Sequence, residues 1–141
     1  MKENLKKAFG SVEGGIGNGM MLPILKNVLI TTDKGRIKIS STNLEIAITS
    51  FINGKIVEEG GITVPANILG GILNNITEQK IELISTDSKL KIKTDKSENV
   101  IQGIKDSEFP IIPQIKSDSF IELKGDILKK SLNQIKCCFS F

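Results

Sequence analysis

Apolar residues recur at helical spacing in three segments of the chain and at every second position in between. Leu5, Ala8, Phe9 and Val12 fall at i, i+3, i+4 and i+7, with Lys2, Lys6 and Lys7 off that stripe, which predicts an amphipathic first helix. Pro65 suits the first turn of a second helix, whose apolar side would be Ile68, Leu69, Ile72, Leu73 and Ile76. Asp126 is a suitable N-cap for a third, ahead of Leu128, Leu132 and Ile135.

Elsewhere the period is two. Ile37 and Ile39 alternate with Arg36, Lys38 and Ser40, and Leu44, Ile46 and Ile48 alternate with Glu45, Ala47 and Thr49. The alternation returns in residues 80–84 and 89–93. Asp33-Lys34-Gly35 and Thr86-Asp87-Ser88 are natural turns between paired strands, so these read as antiparallel strands with one wet face. ENLKKAF (3–9), ANILGGIL (66–73) and DILKKSL (126–132) each open a helix, and that regular interval marks internal duplication. The predicted class is α+β: one domain of two repeated units over 1–112 and a linker at 113–118, within a proline-bearing stretch that starts near 106. Residues 119–141 would then hold the first strand and helix of a second, truncated domain.

Composition narrows the chemistry more than the class. The chain has 141 residues, a quarter of them charged, with a net charge of +3 that permits an anionic partner without demanding one. With no His, and with Cys137 and Cys138 adjacent, neither a four-ligand zinc site nor a Ser-His-Asp or Cys-His arrangement can be assembled. No catalytic residue, metal or cofactor is therefore expected. No run is long and apolar enough to span a bilayer, and MKENLKK lacks a signal-peptide core. A vicinal cysteine pair makes a poor structural disulfide, so a reducing, cytoplasmic setting is expected.

GGIGNG (14–19) has the look of a phosphate cradle. A P-loop needs Lys and Ser/Thr where Met20 and Met21 stand; a dinucleotide fingerprint needs a third glycine where Met20 stands, and a strand before the run. A flexible connector leaving a helix fits better. A small nucleotide-binding domain using residues 14–21 stays as an alternative, and so does an assembly module with no nucleic-acid role. The one acidic pair, Glu58-Glu59, sits beside glycines in a turn. Lys6-Lys7 and Lys129-Lys130 occupy matching places in repeated units. They are either ordinary solvated faces or a shared surface offered to a phosphate backbone, bound without sequence readout. Without interleaved aromatics, duplex is the better fit than unpaired bases.

LPILKNVLI (22–30), STNLEIAI (41–48), ITVPANIL (62–69) and DSEFPIIP (106–113), in this order, resemble the first domain of the bacterial beta sliding clamp, the beta subunit of DNA polymerase III. FIELKGDILKKSLNQIK (120–136) looks like the start of that family's second domain. The resemblance implies a non-enzymatic homodimeric ring of three similar domains per subunit, helices facing a hole through which duplex DNA passes. The polymerase and the clamp loader would be met through a third domain that has no counterpart here, so this chain is expected neither to close a ring nor to recruit a polymerase. The family's opening strand is likewise expected to be missing, because the chain starts almost at the helix.

The resemblance also places candidate DNA contacts at Lys2, Lys7, Lys129 and Lys130, and Lys6 joins them from its matching place in the repeated units. Where relatives offer a cation before L-P-I-L this chain has Gly19 beside Asn18, and at the start of the second helix it has Asn67. Asn99 and Ile101 match the strand edge that would meet a second subunit.

Overall fold

The computed structural model describes residues 2–17, 22–113 and 120–136. The first unit is helix α1 (Lys2–Val12) followed by strands β1 (Asn27–Asp33), β2 (Arg36–Thr42) and β3 (Ala47–Asn53). Strand β4 (Gly61–Pro65) leads into helix α2 (Ala66–Asn75), and β5 (Glu82–Thr86), β6 (Lys89–Lys93) and β7 (Glu98–Gln102) complete the second unit. Helix α3 (Gly125–Lys136) lies beyond. The two units repeat helix-then-three-strands, as the sequence interval implies.

Both hairpins form where the turn residues stand. Asp33 pairs with Arg36 across Lys34 and Gly35, both at positive φ (48° and 74°), which matches the right-handed twist of the flanking strands. Thr86 pairs with Lys89 across Asp87 and Ser88, with Asp87 at φ 47°. Every strand pair is antiparallel, in a four-stranded sheet ordered β3-β2-β1-β4 and a three-stranded sheet ordered β5-β6-β7.

Among the described residues, backbone hydrogen bonds latch the two sheets at one point. Thr63 of β4 and Ile104, just past β7, exchange two backbone hydrogen bonds of 2.9 and 2.8 Å. Gly103 makes that approach possible, since a Cβ there would stand 2.6 Å from the Thr63 carbonyl oxygen. A single core fills the space between: α1 packs on β2 and β3, α2 on β4 and β7, and α1 on α2. Leu5, Ala8, Phe9 and Val12 are buried, confirming the first stripe, alongside Val28, Ile39, Val64, Leu69, Leu73, Ile92 and Ile101. Gly70 is the contact between the helices, where a Cβ would come within 2.9 Å of the Phe9 ring.

Several boundaries differ from expectation. Pro23–Lys26 of the LPILKNVLI segment form a 3-10 turn, so β1 starts only at Asn27; Pro23 has no N–H to give a ladder. Residues 44–46 form a turn: Asn43 Oδ1 accepts hydrogen bonds from the Glu45 and Ile46 amides, and Leu44 sits at φ 77°. The third alternating segment becomes a strand only at Glu82. Pro65 ends β4 at the N-cap position of α2, whose buried side is Ala66, Leu69, Gly70 and Leu73, leaving Ile68 exposed. Asp126 lies inside the first turn of α3, with the Lys124 carbonyl accepting from the Ile127 and Leu128 amides. Phe109 is buried, so the first part of the proline stretch packs on the domain. Linker residues 114–118 lie outside the described residues. Residues 120–124, expected as a strand, are not part of a sheet, and no residue of α3 is buried.

Candidate nucleic-acid interface

The glycine-rich stretch is not an open cradle over the part described, residues 14–17. The Ile16 amide donates to Glu13 O (3.1 Å) and the Gly17 amide to Leu25 O (3.0 Å), so neither is free for an anion. Gly15 and Gly17 are there for packing: a Cβ at Gly15 would run into the Ser41 hydroxyl, and one at Gly17 into Leu25 and Asn43. Ser41 Oγ in turn donates to the Val12 carbonyl at the end of α1. Residues 14–17 are therefore a close-packed corner on β2, where a flexible connector was expected. Asn18 and Gly19, candidate contacts from the sequence, lie outside the described residues, as do Cys137 and Cys138.

The exposed side of the α1–α2 pair carries most of the remaining candidates. Lys2 and Lys6 share a helical row with Phe9 and Glu13 (i, i+4, i+7, i+11), and Lys6 is exposed while Lys2 is half-buried. Lys7 is exposed on the other flank of α1, away from α2. A groove of about 610 Å³ runs between the helices, lined by Phe9, Glu13, Ile16, Lys26, Ala66, Asn67, Gly70, Gly71 and Asn74. Asn67 is thus a groove residue, next to one cation that sequence reasoning does not single out, Lys26. Its ammonium makes no hydrogen bond or ion pair among the described residues, nor do those of Lys2, Lys6 and Lys7. The signal that could have found Lys26 is its place as the polar residue closing the L-P-I-L turn, yet nothing in the pattern ties position 26 to position 67.

Lys129 and Lys130 are exposed on α3, where they line a shallow depression with Asp126, Asn133 and Gln134. The groove between α1 and α2 includes no residue of α3. Asn99 and Ile101 lie on β7, an outer strand of its sheet. Both side chains turn inward: Ile101 is 1% exposed and serves the core, Asn99 is half-buried, and Val100 faces out. That edge offers backbone groups and Val100.

Comparison with known proteins agrees with this architecture. Residues 1–113 match the family model of the DNA polymerase III beta subunit, N-terminal domain. The beta sliding clamp of Synechococcus elongatus is 26% identical over 113 residues, covering 78% of this chain and 30% of that protein. That of Halalkalibacterium halodurans is 26% identical over 132 residues, covering 87% of this chain and 35% of that protein. Among solved structures, the Caulobacter crescentus beta sliding clamp aligns with a TM-score of 0.74 at 26% identity, over 80% of this chain and 31% of that one. The Bacillus subtilis sliding clamp aligns with a TM-score of 0.86 at 22% identity, over 94% and 37%, a likeness of fold. This chain spans about a third of the length of the relatives it matches. With its paired helix-and-strands units and the family match over four-fifths of its residues, the chain belongs to the DNA polymerase III beta subunit family, the beta sliding clamps, of which it carries the N-terminal domain.

Proposed function

We propose that this chain acts in DNA replication as part of a non-enzymatic sliding clamp, its helical face turned toward duplex DNA held inside a ring. The observation that carries this reading is the α1–α2 surface: half-buried Lys2 and exposed Lys6 lie on the row of α1 that leads to Phe9 and Glu13, which line the groove together with exposed Lys26, while the helices pack on both sheets behind. Unpaired ammonium groups on long stems suit the task. They attract phosphates at any sequence and any register, and salt screens them, so the ring is held on DNA by topology and not pinned by contacts.

The outer strand β7 supports a further part of the reading. Its free backbone edge suits antiparallel pairing with a second subunit, with Val100 as the side chain at the contact. Tethering of the polymerase and engagement by a clamp loader belong to the complete ring, and Lys129 and Lys130 would add cations from the next domain. Residence in the cytoplasm follows from that role.

Duplex binding measured by fluorescence anisotropy across a potassium chloride series tests the proposal. Weak affinity, equal for unrelated sequences, is expected, with log affinity falling linearly in log salt. Changing Lys2 and Lys6 together to Gln should flatten the slope by about 0.9 for each phosphate no longer neutralised. Affinity that ignores salt, or a slope indifferent to these lysines and to Lys26, would overturn it.

A further inference from the structure

We propose that the groove between α1 and α2 seats one phosphate of the duplex backbone, that Lys26 is the residue that reaches it, and that Gly71 keeps the seat open. The inference rests on the DNA-facing reading of this surface and assigns the phosphate position within it.

Gly71, like Gly10 on α1, is a helical glycine that packing does not explain, and it is the one of the two that lines the groove. It lies inside α2, where glycine costs up to about 1 kcal/mol relative to alanine. Its neighbour Gly70 has a reason, the Phe9 ring; a Cβ at Gly71 would meet nothing within 4 Å. Gly71 instead lines the groove, where a missing side chain leaves room for something outside the protein to approach the helix. Around that opening stand two neutral amides, Asn67 and Asn74, which can donate hydrogen bonds, and Lys26, an exposed ammonium on a separate element. The α2 side of the groove therefore supplies donors without charge, and the turn Pro23–Lys26 supplies the charge. Lys2 and Lys6 continue the cationic strip along α1, so a backbone following that row passes over the groove.

Glu13 lines the same groove and opposes an anion, so the effects of substitution differ in sign. Lys26→Gln should weaken duplex binding several-fold and lower the salt slope by about one unit, equally for all sequences, while Lys26→Arg should retain it. Glu13→Gln should tighten binding. Gly71→Gln should weaken binding by filling the seat, with a melting temperature at or above that of the parent because a better helix former enters open space.

Weaker binding for Lys26→Gln and Gly71→Gln with tighter binding for Glu13→Gln supports the assignment. If these three leave binding unchanged while the Lys2 and Lys6 changes flatten the salt slope, the seat is wrong and the DNA-facing reading stands. If no variant of this surface alters duplex binding, both fall.

Discussion

Gly103→Ala is expected to unlatch the two sheets. The added methyl would lie 2.6 Å from the Thr63 carbonyl oxygen and 3.0 Å from Cδ1 and Cγ1 of Ile62. The oxygen belongs to backbone that is already fixed, accepting the Ile104 amide at 2.8 Å while the Thr63 amide donates to Ile104 O at 2.9 Å. Relief requires Gly103 to move away, which stretches both bonds of the bridge, each worth about 1 kcal/mol net. Overpacking against Ile62 adds about 1 kcal/mol, and the lower entropy of an unfolded alanine chain returns about 0.4–1 kcal/mol. The balance is a destabilisation of about 2–3 kcal/mol, or a fall in melting temperature of roughly 8–20 °C for a domain of this size. Thermal unfolding followed by far-ultraviolet circular dichroism, with urea titration at the same protein concentration, measures it. Gly10→Ala is the matched control, since Gly10 is exposed on α1 with nothing within 4 Å of its Cβ position. It should gain up to about 1 kcal/mol. A Gly103→Ala protein as stable as the parent would refute the latch.

Three further outcomes are expected. Thr63 Oγ1 is buried without a hydrogen-bond partner, so the isosteric Thr63→Val should raise stability by about 1 kcal/mol, read as a higher urea midpoint with unchanged slope. Ser41→Ala strips the Val12 carbonyl of its donor and should cost about 1–2 kcal/mol, with the decrease visible in the helical signal. Glu98 accepts a hydrogen bond from Lys91 on the neighbouring strand at 2.8 Å, and that bond together with the lysine charge holds its carboxyl below the ordinary range. A lowered folded-state pKa gives stability that is present above the unfolded value and lost as pH falls through the folded one. The melting temperature of Glu98→Gln should therefore differ from the parent's at neutral pH and converge with it in acid below the carboxylate range.

Which parts of the fold can be read from sequence follows from how each element is buried. The stripe of α1 is legible because one face is buried and the other wet, so the periodicity survives in Leu5, Ala8, Phe9 and Val12. β4 has no such contrast: Ile62, Thr63 and Val64 are all buried, and a strand covered on both faces carries no alternation. The segment 44–46 misleads for the opposite reason. Its alternation is genuine, but the Asn43 side chain offers the backbone a turn, and Leu44 takes a positive φ to complete it. Of the proposed interface, the lysines of α1 and Asn67 are visible from the repeats and the family resemblance. Lys26 is not, because its neighbours across the groove are about forty residues on and only tertiary packing brings them together. Ile101 matches a position at a subunit edge, yet a residue on an outer strand can still commit its side chain to the core.

The single latch between the sheets also has a bearing on motion. Residues 82–102 hydrogen-bond as a sheet among themselves; they share the core with the four-stranded sheet through side-chain packing, and among the described residues the backbone ladder between the sheets is the one two-bond bridge just outside that range. A contiguous segment so connected is a natural unit of cooperative opening, able to swing away with its internal ladder intact. Such an opening would leave its amides protected from exchange by its own ladder while baring the now-buried Leu90, Ile92 and Ile101 to water. Proteolysis or a hydrophobic dye would then be expected to register the opening before any backbone probe of the strands.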